Sequence, residues 1–138
     1  MNREIKFRGK NKDIGWVEGQ VAYDLNEDTY IIREVEQDSS YGLEETMLFA
    51  IMWYRVDKET IGQYTGFRDK NGKEIYEGDI VKIIGSKEID IGKVIYEYNG
   101  FIVDVMNMDR FYGRVHLLEK FTEVIGNIYE DSELLGGE

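Results

Sequence analysis

Between Ile61 and Val81 the chain carries three turn signals in close succession, which leaves room only for short strands. Thr65-Gly66 follows a short apolar run. Asp69-Lys70-Asn71-Gly72 reads as a hairpin turn, because Asn and Gly accept the positive φ that tight hairpins demand. Glu77-Gly78-Asp79 then leads into an apolar strand, Ile80–Ile84. None of these residues forms a reactive constellation. The stretch dictates architecture rather than chemistry.

Upstream, Ile5 and Phe7 alternate with Lys6 and Arg8 as in a strand. The basic run Arg3, Lys6, Arg8, Lys10 and Lys12 reads as an edge strand with charged alternate positions. Trp16–Tyr23 and Thr29–Val35 predict a hairpin with Asp24–Asp28 at its tip. Asp24, Asn26 and Asp28 have the spacing of the first three ligands of a calcium loop. Thr29 and Val35, however, stand where that loop needs Gly and Glu, so a solvated tip is the reading. Glu36–Glu45 is polar and reads as a loop. Leu43–Val56 fits two patterns: Leu43, Met47, Ala50 and Tyr54 recur at helical spacing, while Phe49, Ile51 and Trp53 oppose Leu48, Met52 and Tyr54 as in a strand buried on both faces. Its shortness and aromatic content favour a strand ending near Val56. Met52-Trp53-Tyr54 can form a recognition surface, but core packing is the simpler expectation.

Downstream, Gly85–Asp90 is a charged loop. Gly92–Tyr98 and Phe101–Met106 flank Asn99-Gly100, a strong hairpin signal. A turn on those two residues sets Tyr98 opposite Phe101, Tyr96 opposite Val103 and Val94 opposite Val105, all on one apolar face. Asn107–Gly113 reads as a loop and Phe121–Tyr129 as a strand. Glu130–Leu135 is long enough for one helical turn, with Asp131 or Ser132 as cap.

Four segments, Arg3–Lys10, Gly15–Gly19, Ile61–Val81 and Glu123–Glu130, together resemble the signature of the YopX family of small phage and prophage proteins. The resemblance implies an all-β protein with a small SH3-like barrel and a phage context, and it brings no established catalytic residues. The expected barrel covers Ile75–Tyr129 within a C-terminal domain, 58–138. An N-terminal β subdomain, 1–57, is expected to pack on it and share its core, because a lone hairpin is marginal in water.

Charge and residue types narrow the function classes. The net charge is −11, from 17 basic and 28 acidic side chains, so the basic footprint that nucleic-acid binding requires is missing. With no Cys there is no disulfide, thiol catalysis or cysteine-based zinc site. His116, the one histidine, lies between Val115 and Leu117 with Glu119 as its nearest acid, a poor setting for a nucleophile–base pair. Glu74, Glu77 and Asp79 are the one carboxylate cluster on which acid–base or Mg²⁺ chemistry could rest, and acidic turns at strand ends explain them more simply. No run is long enough to span a membrane, and the N-terminus lacks the apolar core of a signal peptide. The expectation is therefore a cytoplasmic protein of the host cell, not an enzyme, with no cofactor, metal, nucleic acid or membrane partner. It would act as a protein-interaction module on a host or phage protein, with a homo-oligomer also open. Ten Tyr and two Trp are aromatic resources suited to an interface, and Tyr64, Phe67, Arg68 and Asp69 beside the hairpin turn are the candidate contact residues. The alternative is an acidic mimic of DNA that occupies a nucleic-acid-binding protein. Basic residues interspersed among the acidic ones speak against it.

Overall fold

The protein is described here by a computed structural model over residues 4–38, 47–85, 89–97, 99–105, 114–116 and 119–136. These residues form eleven strands and two short 3₁₀ turns: β1 (Phe7–Asn11), β2 (Gly15–Tyr23), β3 (Thr29–Asp38), β4 (Met47–Arg55), β5 (Asp57–Arg68), β6 (Glu74–Tyr76), β7 (Asp79–Ile84), β8 (Ile89–Glu97), β9 (Gly100–Val105), β10 (Arg114–His116) and β11 (Thr122–Asn127). The expected all-β class is what the chain adopts. Its strands make two antiparallel sheets, in the orders β4-β3-β2-β1-β5-β6 and β10-β9-β8-β7-β11, and no closed barrel forms among the described residues. The chain divides into two compact units, Lys6–Gly62 and Gln63–Glu138 with Met1–Ile5.

In the first unit, Val17, Ile31 and Val56 form a buried cluster against which Phe7, Val21, Tyr54 and Ile61 pack. The expected hairpin of β2 and β3 is present, pairing Tyr23 with Thr29 and Val21 with Ile31. The basic N-terminal run is not an edge. β1 lies between β2 and β5, and the Lys10 N–H donates to Thr60 Oγ1 at 2.8 Å. Its charge is accommodated because the Arg8 guanidinium sits 4.7 Å from the centre of the Trp16 ring, a cation–π contact that lets the stem stay half-buried. Leu43–Val56 resolves as the strand reading within the described residues, β4 ending at Arg55, while residues 43–46 lie outside them. The expectation of burial on both faces fails: every side chain from Leu48 to Trp53 is exposed.

In the second unit, Ile75, Val81, Ile83, Val94, Val103 and Val105 make the core, with Phe101 and Val124 packed against it. The β8–β9 hairpin forms in a register different from the expected one. Tyr96 faces Phe101, Val94 faces Val103 and Gly92 faces Val105, with Glu97 paired to Gly100. Asn99 takes the positive φ of 71° while Gly100 enters the strand. Tyr98 lies outside the described residues. A shift of two residues keeps side-chain parity, so the apolar face is the expected one although each partner has changed. Tyr96 and Phe101 meet edge to face at 5.0 Å between ring centres. The helical turn expected near the C-terminus is a 3₁₀ turn, Ser132–Leu135, with Asp131 at its N-cap position.

One close approach in the first unit yields a test. A Cβ on Gly19 would overlap the carbonyl oxygen of Ile32, a backbone atom that cannot swing away. Gly19→Ala is expected to cost about 2–3 kcal/mol as the strand shifts to relieve the overlap. Urea unfolding of the two proteins measures it, and an unchanged midpoint would place β2 and β3 further apart than described.

Candidate functional site

The hairpin turn between β5 and β6 is built around one carboxylate. Asp69 is 5% exposed. Its Oδ1 accepts from the backbone N–H groups of Asn71 and Lys73, each at 2.9 Å, and its Oδ2 accepts from the N–H of Val124 on β11 at 2.9 Å. The Asp69 N–H donates to the Lys73 carbonyl and the Lys70 N–H to the Thr122 carbonyl. Gly72, at φ 84°, takes the left-handed position of the turn. Burial alone would raise the Asp69 pKa. The bonds from Val124, Lys73 and Asn71, with the Lys73 charge, outweigh it and hold the carboxyl below its ordinary value.

The other three candidate contact residues divide by exposure. Tyr64 is buried and tilts against Tyr76 with ring centres 5.5 Å apart. Phe67 and Arg68 are exposed; Arg68 donates to the Gly72 carbonyl at 3.1 Å and to Glu74 at 3.3 Å across the hairpin. The carboxylate cluster is likewise occupied by local structure. Asp79 accepts from the Tyr76 N–H at 2.8 Å, closing the turn at Gly78, and Glu74 accepts from the Tyr76 hydroxyl at 3.2 Å. Among the described residues no three His, Cys, Asp or Glu side chains are grouped to hold a metal ion.

Asp24, the first residue of the calcium-like spacing, serves its own hairpin tip. It accepts from the N–H groups of Asn26 and Asp28 and from the Tyr30 hydroxyl at 3.1 Å. Desolvation raises its pKa, but these bonds and the Arg55 charge outweigh it and leave the carboxyl below its usual value. The hydrogen bond to Asp24 raises the Tyr30 hydroxyl in turn. Beside this tip is a polar cleft of about 780 Å³ lined by side chains of both signs, among them Lys10, Lys58, Asp28 and Asp57. Arg55 and Asp28 pair within it at 2.7 Å.

The most distinctive surface is the ribbon made by the distal parts of β3 and β4. Arg33–Gln37 and Leu48–Trp53 are exposed at every position, so both faces of this two-stranded segment meet water. β4 contributes Leu48 (64% exposed), Phe49, Ile51, Met52 and Trp53 (54%). Tyr23, Tyr30, Ile32, Ala50 and Trp53 line a shallow groove of about 350 Å³ along it. Among the described residues β4 is the outermost strand of its sheet, so one row of its backbone N–H and C=O groups is unpaired by that sheet. Sequence reasoning assigned Met52-Trp53-Tyr54 to the core; in the structure Met52 and Trp53 are exposed and Tyr54 half-buried. The signal that would have placed them lies in β3, where Arg33-Glu34-Val35-Glu36-Gln37 is polar on both faces. A strand paired to such a neighbour does not share a two-sided core.

The Asp69 geometry predicts a pH-dependent effect. A carboxyl with a lowered pKa in the fold contributes stability that is present above its ordinary value of 3.8 and lost as pH falls through the folded-state value. Asp69→Asn keeps the size but removes the charge and leaves one N–H without a carboxylate oxygen, a cost of about 2–3 kcal/mol at neutral pH. The gap between wild type and variant, read from urea midpoints, is expected to narrow as the buffer is taken below the usual carboxylate range. A gap independent of pH would show that the charge is not what holds the turn.

No curated protein matches the chain. Among solved structures it is similar to the crystal structure of protein EF1440 from Enterococcus faecalis, at 22% identity and a TM-score of 0.60, covering 97% of this chain and 99% of that one, a likeness of fold. Residues 6–136, nearly the whole chain, match the family described as YopX protein, and the chain belongs to the YopX family.

Proposed function

We propose that this protein is a non-enzymatic interaction module whose principal contact surface is the β3–β4 ribbon. One observation carries the reading: six consecutive residues of an outermost strand, Leu48 to Trp53, are exposed, and all are apolar. Exposed apolar groups that adjoin one another mark interaction sites, whereas apolar residues scattered singly do not. Trp and aromatic neighbours are also the side chains that binding hot spots favour. Phe67 and Arg68 are the members of the turn cluster that a partner can reach, while Tyr64 and Asp69 support that turn from within.

The partner in this reading is a host or phage protein met in the host cytoplasm, as the resemblance to phage and prophage proteins suggests. No helix among the described residues is long and apolar enough to cross a membrane. The five-stranded sheet would correspond to an opened SH3-like arrangement, since β7, β8 and β9 follow one another as a meander with β11 returning beside β7. An acidic DNA mimic has less support, because Asp24, Asp69 and Asp79 direct their oxygens at backbone N–H groups of their own turns rather than forming a phosphate-like array.

Affinity capture from a lysate of the source organism, with wild type beside a Phe49→Ser/Trp53→Ser double variant, tests the reading. Both side chains are exposed, so the variant is expected to melt as wild type does. A partner recovered by wild type and lost by the variant is the expected result. A partner held equally by both would move the site away from the ribbon. Separately, the charge of −11 predicts that duplex DNA is not retained in a gel shift. Salt-sensitive retention at micromolar protein would overturn that.

A further inference from the structure

We propose that the occupant of the ribbon is a second copy of this chain, seated ribbon to ribbon across a two-fold axis with the two β4 strands antiparallel. The inference rests on the interaction reading above and names its partner.

The first argument is self-complementarity. A two-fold contact sets the same patch on both subunits, so the patch must be compatible with itself. Residues 47–54 contain no charge, no Pro and no Gly. Any antiparallel register centred on this segment therefore sets apolar against apolar or aromatic side chains. Natural edge strands are guarded by Lys, Pro, a bulge or brevity. Only the bulge is present here, as irregular pairing between Ile32 and Val35 of β3 and their β4 partners. A bulge adds twist, and it leaves the apolar side chains in water. At about 3.3 Å per residue the strand offers an edge on the order of 30 Å long.

The second argument is charge. Two chains of −11 repel one another over most of their surfaces. Along the ribbon the charges belong to β3, with Arg33 and Glu34 midway and Glu36 and Asp38 opposite Phe49 and Met47, and β4 between Met47 and Tyr54 has none. Arg55 is already paired with Asp28 at 2.7 Å, so what favours the ribbon is that residues 47–54 carry no charge, and contact along them sets no like charges against each other.

The third is area. Five β4 side chains about half exposed, at roughly 200 Å² each, present on the order of 500 Å² of apolar surface. It is divided between the two faces of the ribbon, and an antiparallel β4–β4 seam draws on both. The flanking Val35 and Tyr23, both exposed, and the backbone edge extend it toward the roughly 800 Å² per partner of a stable interface.

The experiment is sedimentation velocity on the full chain, from low micromolar to the highest soluble concentration. It compares wild type, Ile51→Glu, Ile51→Lys, an equimolar mixture of the two, and Ile14→Glu as an exposed control on the β1–β2 turn. Circular dichroism confirms that each is folded. Wild type and control are expected to dimerise without forming a higher series. Each Ile51 variant should associate at least tenfold more weakly, and mixing them should restore the dimer, because opposite charges then meet near the axis. A wild type monomeric throughout, an open-ended series of oligomers, association undisturbed in both Ile51 variants, or a mixture that stays monomeric would each overturn the second-copy assignment. If wild type is monomeric but captures a protein that Phe49→Ser/Trp53→Ser loses, only this inference falls. If it is monomeric and captures nothing through the ribbon, the interaction reading falls with it.

Discussion

The Asp69 carboxylate is the interaction on which the second unit depends. Its two oxygens accept three backbone N–H groups, two from its own turn and one from Val124, which lies 55 residues further along the chain. A local turn preference thereby becomes a long-range tether, and charge-assisted bonds to a buried carboxylate are the strong kind. The next turn works similarly. Asp79 accepts from Tyr76, and Gly78, at φ 94°, donates to the Val94 carbonyl while accepting from the N–H of Ile128. A side chain at Gly78 would be strained by that φ and would crowd the Tyr129 ring. Between the two turns lie Ile75 and Tyr76, and after them Ile80 and Val81, all buried. Polar tethers at the turns and apolar burial between them give β5, β6 and β7 a single arrangement.

That region was legible because its determinants are local. Asp, Asn and Gly specify turns within four residues, and an apolar run such as Ile80–Ile84 states its burial directly. The β8–β9 hairpin shows where local signals stop. Asn99-Gly100 announces a turn, but either pair, 98–99 or 99–100, can supply the loop, and the apolar pattern is blind to a shift of two. The face was therefore readable and the register was not. The neighbours of β1 were also out of reach. Alternating Lys and Arg describe a half-wet strand, and they do not say that β5 closes its second edge while Trp16 covers Arg8.

β4 is the instructive failure. Apolarity in sequence reports a preference for leaving water, and whether the fold can satisfy that preference depends on the neighbouring strand and on what covers the sheet. Past Ile31, which is fully buried, β3 turns polar on both faces and supplies no core for β4 to join. The same six letters, Leu48 to Trp53, that suggest a buried strand then describe an exposed one. The four residues chosen as contact candidates show the converse. Tyr64 and Asp69 have the chemistry of an interface, yet one is packed on Tyr76 and the other ties a turn. Aromatic and charged identity marks residues that can bind, and only exposure separates those that are free to do so from those already used by the fold.

A two-stranded ribbon whose outer strand is apolar and exposed on both faces is a costly feature, since such a ribbon is marginal in water and invites edge-to-edge aggregation. A net charge of −11 offers a way to keep it safe. Repulsion between chains scales with their whole charge and acts in every orientation, whereas apolar attraction is confined to the ribbon. Approaches that bury little of the ribbon are therefore opposed, and one that buries it fully gains apolar burial to set against that repulsion. In the proposed dimer the acidity would be the counterweight that limits an adhesive strand to one geometry, so that the apolar patch and the net charge act together.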